Sequence, residues 1–190
     1  MVEQGERTRG DRAKRDAREW LPWLLLGAAA LVGCTTLYAY SFADEGDSLW
    51  IGLLLSRGQR LYRDFFSHHF PFQDYWGAAV IAAFGKSILA VRLSVWGFQI
   101  AAFGIAMGLS RFHLPLALAA LVWSVVRHLF LANLLLYPSF AAAALLVVLA
   151  IVLAILMGRV RPDWRHSLAV GLFSTVAILS DPLSVYAVAI

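Results

Sequence analysis

Apolar runs of membrane-spanning length alternate with short polar bursts along this chain. Residues 20–40, WLPWLLLGAAALVGCTTLYAY, are 21 positions without a charge. At 1.5 Å rise per residue, a helix of that length covers the roughly 30 Å hydrocarbon core of a bilayer. Residues 93–110 form an 18-residue uncharged run between Arg92 and Arg111, and residues 140–158 form another of 19. Residues 114–137 are apolar except at Arg127 and His128, and residues 167–180 are apolar up to Asp181. Residues 49–55 and 75–84 are too short to cross and are expected as interfacial or re-entrant helices. The pattern predicts an all-α polytopic transmembrane bundle with spans at about 20–40, 92–110, 114–137, 139–158 and 167–180. A basic tail, 1–19, precedes it, an outer loop covers 41–90, and a further span begins at 183–190.

Composition and charge agree with a membrane chain and orient it. Hydrophobic residues make up 61%, charged residues 15%, and the mean hydropathy of +0.71 lies outside the range of soluble domains. Trp20 and Trp23 at one end of the first run, with Tyr38 and Tyr40 at the other, suit two interfacial belts. A signal peptide would have a shorter apolar core and a small-residue cleavage site, so this run is read as an uncleaved span. Six Lys/Arg within the first 18 residues place the tail in the cytoplasm and residue 41 outside. With Arg111 and the RVRPDWRH cluster at 159–166 also cytoplasmic, ten of the 16 Lys/Arg lie inside. Letting 75–84 cross would reverse that bias. Five acids interspersed in the tail region, with no binding motif after them, argue against nucleic acid as its partner. Cys34 is the lone cysteine, which excludes an internal disulfide. The chain stops at SDPLSVYAVAI as though another span were opening, so a longer parent protein is expected.

Chemistry concentrates between Ser41 and Trp76. Five of the 12 acids, three arginines and the pair His68–His69 fall there, interleaved with aromatics. Such a mixture beside hydrocarbon suits a polar group attached to a lipid. The order DEG, SRGQRLYRDFF, HHFP, DYW, AAFGKS and VRL resembles the first outer loop of GT-C fold polyprenyl-phosphate-sugar glycosyltransferases, nearest the protein O-mannosyltransferase and aminoarabinose-transferase group. That family is similar in its acidic pair after the first span, its G-x-x-x-Y-x-D stretch, its proline-led aromatic helix, and its FG-x-S followed by Arg-Leu. The resemblance covers about residues 20–111; beyond them only hydropathy is shared. It implies an integral protein of the bacterial inner membrane.

The resemblance also implies a reaction. An acceptor hydroxyl attacks the anomeric carbon of a sugar carried on a polyprenyl phosphate, from the face opposite the phosphate, after a carboxylate takes its proton. Asp44 matches that base. Glu45 would orient the acceptor or help to bind a divalent cation, and Asp47 is the alternative base or a further substrate ligand. Arg63, His68 and His69 are candidates for binding the leaving phosphate, whose charge grows in an oxocarbenium-like transition state. The histidine pair read alone is also compatible with two polar side chains at the interface. A zinc site from His68, His69 and Glu45 lacks a closed ligand set, so no metal is assigned and a divalent cation stays open as cofactor. Arg127 and His128 sit at membrane depth, where ionisable groups mark a site; the other reading has Arg127 snorkelling to the interface. No acid falls in 127–139, so a two-carboxylate mechanism finds no second partner there. Arg92 and Asp181 are expected to cap span ends. The expected partners are a lipid-linked sugar donor, membrane lipids and an unnamed acceptor; the absence of a Walker loop disfavours a sugar nucleotide. A non-catalytic membrane subunit or a transporter fragment is the alternative, although spans nearly clean of charges and breaks disfavour transport.

Overall fold

The computed structural model describes residues 19–38, 43–67, 71–127 and 135–181. Among them the chain is all-helical: α1 Glu19–Cys34, α2 Ala43–Ser56, α3 Pro71–Phe84, α4 Ile88–Ser110, α5 His113–Val126, α6 Tyr137–Leu156 and α7 Trp164–Ser180. Two stretches, Ile88–Ser110 and Pro138–Leu156, are long and apolar enough to cross a membrane.

Local chemistry sets the ends of these helices. α1 stops earlier than the apolar run predicts. The Thr35 and Thr36 hydroxyls donate to the carbonyls of Val32 (2.7 Å) and Gly33 (2.9 Å), and the backbone tightens to i−3 bonding through Leu37. Such competition from hydroxyls closes a helix even where no charge interrupts it. α3 ends at Gly85, whose φ of 73° belongs to the left-handed region. Two residues later the Ser87 side chain accepts from the Ala90 N–H and opens α4. The run at 114–137 is not a single helix in the described residues: α5 occupies His113–Val126, with Arg127 at its C-cap. The two short apolar pieces at 49–55 and 75–84 lie inside 14-residue helices, α2 and α3, each about 21 Å long.

α6 packs between α4 and α7, while α5 lies against α4 and α2 pairs with α3. Alanine makes the close approach possible: Ala102 and Ala106 of α4, Ala117 and Ala120 of α5, Ala144 of α6 and Ala177 of α7 are wholly buried. Small residues let helix backbones meet where lipid removes the hydrophobic drive for association. α1 joins through Leu26, Ala29 and Gly33; a β-carbon on Gly33 would sit 2.2 Å from the Trp96 indole. α2 and α3 meet at Gly52 and Gly77, where a β-carbon on Gly52 would lie 3.1 Å from the α3 backbone.

An aromatic cluster fastens this α2–α3 pair to the bundle. Phe72 and Trp76 of α3 pack on Phe140 of α6 at 5.1 and 5.3 Å between ring centroids, and Trp76 meets Phe98 of α4 at 5.6 Å. Each such pair contributes about 0.5–1.5 kcal/mol beyond area burial. The Trp76 indole N–H also donates to the Ser94 hydroxyl at 2.8 Å.

The bundle has two polar ends. Leu37, Glu45, Arg92 and Arg127 share one, through the hydrogen bonds described below. Trp23, His113 and the α6–α7 connection share the other: the Trp23 and His113 rings pack at 6.2 Å, and His166 reaches the Leu109 carbonyl at 3.2 Å.

Candidate functional site

The first turn of α2 carries the acidic pair that closes the first apolar run, and the helix sends its two members in different directions. Glu45 is only 2% exposed and Arg92, in the second turn of α4, only 5%. Arg92 Nε donates to Glu45 Oε1 at 3.0 Å and Nη2 donates to Oε2 at 2.6 Å, a bidentate pair. Arg92 Nη1 donates to the Leu37 carbonyl at 2.6 Å, and the Leu135 N–H donates to Glu45 Oε1 at 3.4 Å. One ion pair therefore ties the end of α1, the start of α2, the start of α4 and the approach to α6. Arg92 is not an interfacial cap, as expected from the sequence, because its planar fork is consumed by a buried carboxylate and a carbonyl. Both Glu45 oxygens face Arg92, so Glu45 has the geometry of a brace and not of a free cation ligand.

Asp44 points out. It is exposed, as is Asp47 one turn on, and residues three apart on a helix stand about 5–6 Å from one another at Cβ. Ser48 turns inward beneath Glu45, fully buried. Beside this turn lies a recess of about 300 Å³ between α2 and the α3–α4 corner. Leu49, Leu53, Ile81 and Val91 make its walls apolar, and Gly46, Lys86 and Ser87 also stand on its lining. No β-carbon obstructs at Gly46, where one would meet nothing within 4 Å.

The 57–67 connection folds on itself around Asp64. Asp64 accepts from Arg63 Nε at 2.8 Å and Nη2 at 3.0 Å, and from the Arg60 N–H at 2.8 Å. These bonds, the Arg63 side chain first, hold the Asp64 carboxyl below the usual carboxylate range. Arg63 is thus engaged by its neighbour in a surface pair, and the motif G-x-x-x-Y-x-D serves here as a loop lock. Tyr62, at φ 64°, reaches toward α3; partial burial, then the negative charge of Asp74, then Tyr75 raise its phenol above the ordinary value.

Asp74 itself, with Gln73, was missed by reading the sequence. Both are fully buried in the first turn of α3, and neither Gln73 amide atom has a hydrogen-bond partner among the described residues. The available signal was two polar residues inside an otherwise apolar helix, PFQDYWGAAVIAAF. Lys86 also escaped notice as a site residue, although it is the lone lysine after the tail.

Arg127 is fully buried, so it does not snorkel. Its Nη2 donates to the Gly33 carbonyl at 2.6 Å and to Thr36 Oγ1 at 3.1 Å, and its guanidinium lies 3.9 Å from the Trp96 ring centroid. It caps a carbonyl at the end of α1 and stacks as arginine does on indole. Its Nε and Nη1 have no partner among the described residues. His68, His69 and His128 lie outside the described residues. Among the described residues no group of three or more His, Cys, Asp or Glu could hold a metal ion. No protein family, curated protein or solved structure matches the chain.

Proposed function

We propose that the chain carries the base-bearing region of a polytopic membrane glycosyltransferase that moves a sugar from a polyprenyl-phosphate donor to an acceptor hydroxyl with inversion. In this reading α1 and α4 to α7 cross a bacterial inner membrane, the basic tail is cytoplasmic, and α2 and α3 lie at the outer interface. The observation that carries it is a single helix, α2, that exposes the Asp44 carboxylate in its first turn and, along its side bearing Gly46, Leu49 and Leu53, lines an apolar recess with Lys86 on it. Apolar walls suit a polyprenyl chain, an ammonium suits its phosphate, and a solvent-facing carboxylate suits the acceptor.

Asp44 takes the acceptor proton as the acceptor oxygen bonds to the anomeric carbon, and the bond to phosphate breaks with its electrons leaving on the phosphate. Lys86 stabilises the charge that gathers there. Glu45 is a positioning residue: paired with Arg92, it fixes the first turn of α2 and with it the bearing of Asp44. Asp47, on the same face, binds the sugar or the acceptor.

The experiment is transfer in proteoliposomes from decaprenyl-phosphate sugars, in the presence of membranes containing the native acceptor. Release of decaprenyl phosphate with an inverted glycosidic product is expected. Correctly inserted protein that turns over no polyprenyl-linked donor would overturn the reading in favour of a non-catalytic membrane subunit.

A further inference from the structure

The end of the bundle opposite Asp44 holds the largest concentration of unpaired positive charge among the described residues. A recess of about 470 Å³ lies between the C-terminus of α4 and the α6–α7 connection, lined mainly by polar surface. Arg111, Arg159, Arg161 and Arg165 border it, against a single carboxylate, Asp163. Asp163 is already committed. It caps α7, accepting from the Arg165 N–H at 2.9 Å and lying 2.7 Å from His166 Nδ1. His166, 8% exposed, forms part of the lining and holds it to α4 through the Leu109 carbonyl. None of the four guanidiniums forms an ion pair with a described carboxylate; Arg159 instead lies over the Phe112 ring at 4.6 Å.

Four exposed like charges around one concavity make it a favourable place for an anion. The chain's own tail carries no net negative charge. Residues 1–18 carry six Lys/Arg against four acids and are themselves net positive. The flanks of the recess are apolar and exposed: Leu156 and Met157 precede Arg159, while Trp164 and Leu168 stand on the first turns of α7. Trp20 and Trp23, exposed on α1, lie toward the same end.

From this juxtaposition we infer that the basin binds the headgroup of an anionic membrane phospholipid, its phosphodiester among the arginines and its acyl chains along the apolar flank. Basic pockets between helices on the cytoplasmic side of a membrane recognise such headgroups through charge-assisted, often bidentate arginine–phosphate bonds. The inference rests on the reading that the bundle lies in a membrane with its basic end cytoplasmic. It does not depend on the glycosyltransferase reading.

The test is native mass spectrometry of the full chain in detergent micelles, titrated with dioleoyl-phosphatidylglycerol or with dioleoyl-phosphatidylcholine. Phosphatidylglycerol is expected to bind in preference. The triple variant R159Q/R161Q/R165Q should lose about a hundredfold in phosphatidylglycerol affinity, about fivefold per charge, with phosphatidylcholine unaffected. Should the triple variant lose its fold, Arg161→Gln alone is expected to show the fivefold loss. Equal binding of the two lipids, or undiminished preference in the variants, would overturn the inference. So would displacement of the lipid by equimolar inorganic phosphate, which would mark a site for a soluble anion. Flotation with phosphatidylcholine vesicles separates the two claims: protein that inserts without lipid preference refutes the basin alone, and protein that fails to insert refutes the membrane reading beneath it.

Discussion

Successive residues of a helix are about 100° apart, and that angle decides what Asp44 and Glu45 can do. With Glu45 turned into the bundle against Arg92, Asp44, one step round the helix, is left exposed. Burial of the pair makes its removal costly in a specific way. Glu45→Gln leaves the Arg92 charge buried and uncompensated, so the folded state should lose about 3–5 kcal/mol, read as a lowered midpoint in detergent unfolding. Arg92→Lys should fall nearly as far, because one ammonium cannot serve both carboxylate oxygens and the Leu37 carbonyl. The double variant Glu45→Leu/Arg92→Leu should be milder than either single change; a double variant as damaged as the sum of the two would refute the brace. The acids were legible in the sequence as polar residues closing an apolar run. Their division was not, since the partner lies 47 residues away and the pairing is a product of tertiary packing.

Helix boundaries and contacts show the same mixture. Hydropathy located the helices but not their ends, because hydroxyl back-bonding at Thr35 and Thr36 stops α1 without any polar signal in a hydropathy window. Gly33 is where α1 depends on a missing side chain. Trp96 cannot swing away freely, being held by Arg127 above its ring and by its own N–H bond to the Ala30 carbonyl at 2.9 Å. Gly33→Val should therefore cost about 1–3 kcal/mol through overpacking, with Gly27→Val, whose β-carbon meets nothing within 4 Å, as the tolerated control. At the other end of the bundle α7 depends on pH. Partial desolvation pushes the Asp163 carboxyl up, but hydrogen bonds from the His166 and Arg165 backbone N–H groups and from the His166 ring outweigh it, and the net value lies below the ordinary 3.8. A depressed folded-state value means the cap's stabilisation is complete above 3.8 and is lost as pH falls through the lower folded value. Protection at the first turn of α7, taken as exchange relative to the intrinsic rate at each pH, should fall in that acid window. Asp163→Asn should remove the fall, and protection that stays constant through the window in the parent chain would refute the assignment.

At the scale of the molecule, polar chemistry is segregated to two ends joined by α4, whose Arg92 and Arg111 stand roughly 28 Å apart at 1.5 Å per residue. That span matches a hydrocarbon core, which is why the alternation of apolar runs and polar bursts was informative about architecture before any contact was known. The sequence pattern left Gln73 and Asp74 unassigned, because polar residues in an apolar helix look alike whether they line a site or fill a gap, and Lys86 unassigned, because a lysine between two helices reads as a solvated turn. The topology carries its own prediction. A reporter fused after Phe84 should score outside and one after Arg161 cytoplasmic, and the reverse pair of results would invert the membrane reading. The claim on which the functional account turns is that Asp44 acts while Glu45 holds. Its most direct measurement is sugar transfer by the Asp44→Asn protein, compared with the parent chain at equal abundance in the same membranes. The account predicts turnover lower by about 100- to 10,000-fold, the usual worth of a general base, with donor binding little changed; normal transfer by Asp44→Asn would contradict it.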